Sequence, residues 1–332
     1  MLRKLVKTGV AVGLRATGGN RLLARIGGFR RLPVIICYHR TVEEFPADPQ
    51  RTIPSLCVST KMLEQHLDWL GRQFRLVSLD DLSKLMASGS QLPDRVAAIT
   101  FDDGYQDFYE LAFPILKRKG IPAAVFVVTD TVGTERMQVH DLLYLLLSRS
   151  SHKNPQATLD QWMARQSQEE LLRTIEGLEK KIEIPDRIRR EHRSMNWQEV
   201  AEVHKAGITI GSHTQTHVLL PNETKERVAR ELRESRRTLE GKLGGNIRHF
   251  AYPCGEFSAS TVGAVANAGY SFGYTICRHR DGDFPSLTIP RKVLWEKSCL
   301  NALRSFSPSI MSCHVGGSFD LLGGCRLSHA AA

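Results

Sequence analysis

The sequence predicts an α/β chain folded as a closed or nearly closed (β/α) barrel of about seven parallel strands. Three observations carry this. Short β-branched runs alternate with stretches of helical periodicity from residue 32 onward, the pattern of parallel strands joined by crossover helices. Seven or eight such units occupy roughly 260 residues, the usual size of such a barrel. Polar clusters recur at the ends of the runs, where parallel barrels gather their functional residues. A doubly wound open sheet is the alternative architecture. The 332 residues, 42% hydrophobic and 24% charged, have a globular composition, which excludes a disordered or collagen-like chain.

The predicted strands are 33–38, 75–79, 96–101, 123–128, 208–212, 247–252, 270–276 and 287–293. Helical periodicity covers 60–71, 79–87, 105–119, 197–206 and 258–268. In 223–243, Val228, Leu232, Leu239 and Leu243 make one apolar face, and Glu223 with Arg227 and Glu226 with Arg230 are favourable i,i+4 pairs. Gly244 and Gly245 end that helix, and its charge run reads as an exposed face. Residues 140–193 form a helix-rich polar insertion, too charged for a core and expected to shape the substrate groove. The organisation is thus a basic extension over 1–31, a barrel over 32–305 with the insertion 140–193, and a tail over 306–332.

The net charge of +10 raises the question of acidic partners. Eight basic residues precede residue 32 with no acidic residue among them, leaving 37 basic against 35 acidic in the remainder. A near-neutral body argues against a nucleic-acid groove. Leu2, Leu5, Val6, Val10 and Leu14 recur at three and four within the basic extension, so a helix there would carry an apolar stripe beside a cationic one. That suits peripheral contact with an anionic membrane; a solvated extension is the plainer reading. The leader lacks the apolar run and cleavage site of a secretory signal. Seven scattered cysteines without CxxC argue against a disulfide framework. A cytoplasmic chain, peripheral at the inner membrane, is expected.

Three clusters follow predicted strands. In Thr100-Phe101-Asp102-Asp103-Gly104, two adjacent carboxylates can serve one site only if the backbone turns at the pair, which Gly104 permits. Alone it reads first as an Asp-Gly turn. His213 and His217 are four apart, so in a helical turn they share a face and can grip one metal ion. One carboxylate and two imidazoles would leave a coordination position open, as in catalytic zinc sites. Tyr252-Pro253-Cys254-Gly255 would hold a sharp turn whose N–H groups could face an oxyanion.

Together these residues resemble the polysaccharide deacetylase family. Thr100-Phe101-Asp102-Asp103-Gly104 is similar to its TFDDG motif, His213-Thr214-Gln215-Thr216-His217 to its H(S/T)xxH motif, and Tyr252-Pro253-Cys254-Gly255 to its third. Cys37-Tyr38-His39-Arg40 and the stretch 113–123 add support, and the similarity covers roughly 32–295. The resemblance implies a distorted barrel and metal-dependent removal of acetyl groups from an N-acetylated glycan. Asp103, His213 and His217 would hold Zn2+ or another divalent metal, and Asp102 would be the general base. Ala251 stands where many members carry the arginine that orients that base, and Cys254 where they carry tyrosine. His314 is the match to the late histidine that serves as general acid. His39, at the end of the first strand, would contact substrate with Tyr252, Pro253 and Cys254. A hydrolase of a non-sugar amide or O-acetyl ester, and a non-catalytic carbohydrate-binding relative, are the alternatives.

Overall fold

The structure, a computed structural model, describes residues 2–19, 33–87 and 95–322. The strands are β1 (Val34–Tyr38), β2 (Arg40–Val42), β3 (Cys57–Ser59), β4 (Arg75–Leu76), β5 (Val96–Phe101), β6 (Ala123–Val127), β7 (Thr209–Ser212), β8 (His249–Ala251), β9 (Phe272–Thr275), β10 (Ile289–Pro290) and β11 (Lys292–Val293). β2 and β3 pair separately; the other nine form one sheet in the order β10-β9-β8-β7-β6-β5-β1-β11, with β4 beside β5. Every pairing is parallel. All six residues of β5 are buried, as expected of a strand covered on both faces.

The predicted strand 287–293 is two strands of two residues each, and they lie at opposite edges of the sheet. Ile289 and Pro290 pair with β9, whereas Lys292 and Val293 pair with β1. The chain itself crosses the gap at Arg291, whose N–H donates to Thr275 O at 3.0 Å. The sheet therefore approaches closure into a barrel through a peptide segment at that seam, with Arg291 in it.

The helices are α1 (Leu2–Ala16), α2 (Thr60–Gln73), α3 (Leu79–Ala87), α4 (Phe113–Lys119), α5 (Val139–Arg149), α6 (Pro155–Met163), α7 (Gln168–Glu179), α8 (Asp186–Glu191), α9 (Trp197–Lys205), α10 (Lys225–Leu243), α11 (Ala259–Asn267) and α12 (Pro308–Val315). Local chemistry sets their ends. Ser59 caps α2 through the Met62 N–H, and Ser167/Glu170 and Asn196/Glu199 form reciprocal capping boxes on α7 and α9. α4 stops at Gly120, whose φ of 63° is left-handed. The helical stretch predicted over 105–119 begins with a π-helical segment, Phe108–Ala112.

Two sequence expectations need correction. The insertion has a core of its own: Leu143, Leu146, Leu159, Met163, Leu171 and Ile175 are buried together. Its charges lie on the outer helix faces and hide an apolar spacing of three and four on the inner ones. The segment from 306 is also more than a tail, because Met311 and Val315 of α12 belong to the main core. α1 packs on α12 through Ala11, Ile310 and Cys313. The rest of the basic extension, including Arg21, Arg25, Arg30 and Arg31, lies outside the described residues, as does Cys325. No helix among the described residues is long and apolar enough to cross a membrane.

Candidate active site

β5 delivers the two carboxylates. The Asp102 N–H continues the ladder by donating to Tyr38 O at 2.9 Å. The chain then turns through two left-handed residues, Asp103 at φ 71° and Gly104 at φ 67°. That turn sends the neighbouring carboxylates to different partners at one strand end. A Cβ on Gly104 would meet Val127 at 3.4 Å, so close packing as well as φ favours glycine there.

The histidines come from the loop after β7. They share a face without a helical turn: 213–217 is a non-helical bend, with Thr214 at φ 66° and His217 at φ 61°. A buried carboxylate makes the bend. Glu231 of α10 accepts from the Gln215 and Thr216 N–H groups at 2.9 and 2.8 Å and from Thr216 Oγ1 at 2.8 Å. It is fully buried within a helix whose charges read as exposed. The His217 N–H donates to Thr214 Oγ1 at 2.8 Å. The His213 and His217 ring centroids end 4.8 Å apart.

Arg291 occupies the place left open by Ala251. Its Nη1 and Nη2 donate to Asp102 Oδ1 and Oδ2 at 2.6 and 2.7 Å, a buried bidentate pair. Burial alone would raise the Asp102 carboxyl; the guanidinium outweighs it and holds the group below the ordinary carboxylate value. Asp102 Oδ2 stays 4.0 Å from His213 Nε2. Burial likewise works against the Asp103 charge, but the imidazoles of His217 and His140 hold that carboxyl well below its ordinary value.

A cleft of about 650 Å³ opens over these groups. His39, Asp102, Asp103, His213 and His217 line its floor with Cys254, and Gln156, Leu159, Asp160 and Met163 of α6 line a wall. Trp295 and Ile276 also line it. Of the third motif Cys254 and Gly255 reach the cleft, Cys254 held at φ 54°. The Tyr252 ring is buried against Phe250 and Phe257, and Pro253 is buried at the start of the turn, so neither lines the cleft as expected. The Gly255 and Glu256 N–H groups bond Tyr252 O and Pro253 O. His314 is also elsewhere: it faces Lys7 Nζ at 3.3 Å and packs on Phe319 at the α1–α12 contact. Matching by residue type found a histidine that the fold carries away from the carboxylates.

His140, which the motifs did not reveal, does reach the cleft. Its ring centroid lies 4.6 Å from that of His217, and Nε2 is 3.0 Å from Tyr105 Oη and 3.8 Å from Asp103 Oδ2. Tyr105 donates to Asp141 at 2.7 Å, leaving its oxygen to accept from His140.

The donor set suits a divalent cation. Asp103 Oδ1 is buried without a hydrogen-bond donor and lies 3.5 Å from His213 Nε2 and 3.3 Å from His217 Nε2. His213 Nδ1 donates to Ala251 O at 2.8 Å, which leaves the Nε2 lone pair facing Asp103. Burial lowers the His213 pKa to about 4, so the ring is neutral and able to ligate near neutrality. Cys37, His39 and Asp102 also cluster, but Arg291 already engages both Asp102 oxygens. Four of the six left-handed non-glycine residues among those described, Asp103, Thr214, His217 and Cys254, lie at this site, where strain is commonly functional.

Comparison with known proteins agrees with this geometry. The Bacillus subtilis (strain 168) protein YxkH, named as a polysaccharide deacetylase, is 22% identical over 222 residues, 67% of this chain and 59% of its own. The poly-beta-1,6-N-acetyl-D-glucosamine N-deacetylase of Escherichia coli (strain K12) is 34% identical over 102 residues, 30% of this chain and 14% of its own. The chain thus spans less than two thirds of the length of these curated relatives. The solved structure of IcaB from Ammonifex degensii superposes with a TM-score of 0.57 at 20% identity, covering 86% of this chain and 97% of that one, and shows the same fold. A family model described as polysaccharide deacetylase matches residues 89–273, more than half of the chain and the stretch that holds Asp102, Asp103, His213 and His217. On that match, the chain belongs to the polysaccharide deacetylase family, whose members are metal-dependent.

Proposed function

We propose that this protein is a metal-dependent hydrolase that removes N-acetyl groups from N-acetylhexosamine units of a polysaccharide or its precursor. The observation that carries the reading is the pairing of two unlike carboxylates. Asp103 converges on two imidazoles with an unsatisfied oxygen, and Asp102 beside it is clamped by a buried guanidinium. Asp103, His213 and His217 would hold the metal, and the borderline nitrogen and oxygen donors favour Zn2+. When bound, such a cation supplies Lewis acidity, lowering the pKa of water and polarising the acyl oxygen.

The chain's own residues do the rest. Asp102 accepts the proton of the attacking water; Arg291 fixes the orientation of its oxygens and keeps the carboxylate charged. Cys254, strained at the cleft edge, offers its backbone N–H toward the developing oxyanion. His39 stands half-buried in the cleft beside Asp102 and takes the role first expected of His314, delivering a proton to the departing amine. Trp295 offers an aromatic face to a sugar ring. The relatives named poly-beta-1,6-N-acetyl-D-glucosamine N-deacetylase support β-1,6-linked N-acetylglucosamine oligomers as the first substrate to assay.

Acetate release from those oligomers tests the reading. Chelation abolishes release, Zn2+ restores it, and Asp102→Asn lowers it about 10²- to 10⁴-fold. Chelator-insensitive release, or none from any N-acetylated glycan, would overturn it; release from O-acetyl esters alone would assign the alternative hydrolase.

A further inference from the structure

The N-terminal helix is docked with Ala11 and Leu14 inward and Leu5, Val6, Val10 and Val12 outward. Ala11 packs on Ile310 and Cys313 of α12. Lys7 Nζ lies 3.3 Å from both Ser298 O and His314 Nε2, and Thr8 Oγ1 accepts from the Ala302 N–H at 3.2 Å. At 3.6 residues per turn these positions fill one arc, and Leu5, Val6, Val10 and Val12 fall on the opposite one. Those four are 50%, 56%, 46% and 51% exposed. A helix lying on a protein ordinarily turns its aliphatic stripe toward that protein.

The outward stripe is extended by the loop that braces it. Leu303, one residue beyond the Thr8 partner, is 85% exposed. It and the four α1 side chains make five of the eight exposed large apolar residues among those described. Such a concentration marks an interaction surface rather than ordinary scatter. Arg15 of α1, Lys297 beside Ser298 and Arg304 of the loop are exposed cations, and in sequence residues 1–31 hold eight basic and no acidic residues.

We infer that α1 and the 301–305 loop form a docking surface for an anionic phospholipid bilayer, lying along the interface. Aliphatic side chains flanked by cations match a leaflet with acyl chains below and anionic headgroups above. Charge selects this occupant over a second copy of the chain, because two such faces repel each other. The mode is surface contact, since α1 is too short and polar to span. Docking also bears on the cleft. Ser298, held by Lys7, accepts from the Trp295 N–H at 3.0 Å, so one turn joins the docked helix to the cleft wall.

Co-sedimentation of the full chain with vesicles decides this, using equal parts phosphatidylglycerol and phosphatidylcholine against phosphatidylcholine alone. The chain pellets with the anionic vesicles and is released as salt rises. The double variant Val6→Glu/Val10→Glu weakens binding about a hundredfold, through lost insertion and added repulsion, with an unchanged circular dichroism spectrum. Leu303→Glu, at a side chain 85% exposed, weakens it about tenfold. An unmodified chain left in the supernatant, or a double variant that binds equally well, overturns the proposal. So does a dimer that the double variant splits while vesicles bind neither form, which assigns the face to a second copy.

Discussion

The floor and the α6 wall of the cleft are built by different rules. The floor is polar, strained and dense with hydrogen bonds: Arg291 on Asp102, Glu231 under the histidine bend, Ala251 O on His213, and four residues with left-handed backbone. The wall comes from an insertion with its own apolar core, and presents Leu159 and Met163 with Gln156 and Asp160. The difference teaches a division of labour. The barrel fixes the carboxylates and the paired histidines, whereas the α6 wall rests on a core of its own and can vary with the least disturbance to them; α5 of the same insertion is the exception, since its His140 faces Asp103.

Breaking the floor has the largest effect. Asp103→Asn removes the anionic member of the proposed ligand set, and acetate release falls at least about 10³-fold with loss of bound metal by elemental analysis. Arg291→Met leaves the metal cluster intact and disorients Asp102, so kcat falls about 10²-fold while metal content is unchanged. It also strands a buried charge, lowering unfolding free energy in denaturant titration by about 3–5 kcal/mol.

Breaking the wall is milder for the chemistry. Leu171→Ala opens the insertion core, at about 2–4 kcal/mol, and proteolysis within 140–193 accelerates while metal content holds.

Acid probes both regions together. Burial depresses His66, packed under the barrel, to about 3 and His192, in the insertion, to about 4. In each case the unfolded chain takes up a proton near pH 6.5 that the folded chain refuses. Stability is therefore complete above about pH 6.5 and declines as pH falls toward 4. Burial raises Asp107 to about 6 despite Arg40, which acts in the opposite sense over that window. Burial also lowers His213 and His314 to about 4, so the histidines outweigh the one carboxyl, and stability read from the denaturation midpoint drops by about 1–3 kcal/mol or more.

Asp160→Asn gives the smallest change. It raises KM about threefold for a partly deacetylated, cationic glycan and leaves KM for a fully acetylated one unaltered.

How much was legible in the sequence follows the same division. Asp102, Asp103, His213 and His217 were readable because each pair is local and follows an apolar run. Arg291 was not: it sits 189 residues from its carboxylate, inside what looks like one continuous strand. Glu231 was hidden by the charged helix around it, since helical periodicity does not tell a buried glutamate from exposed ones. His140 falls in a stretch whose polarity disguised both its core and its reach into the cleft. His314 was misplaced because residue type and order carry no direction in space, and α1 draws it to the opposite contact.

Arg291 sits where the two edges of the sheet come closest, and it also aims the proposed base. Closure of the barrel and readiness for reaction are therefore one event. A molecule whose seam has parted would keep its helices, its insertion core and its metal ligands, and so would look native by circular dichroism and metal content. It would nonetheless lack an oriented base. Loss of turnover during heating should then precede loss of ellipticity, with the interval between them measuring how readily that single seam opens.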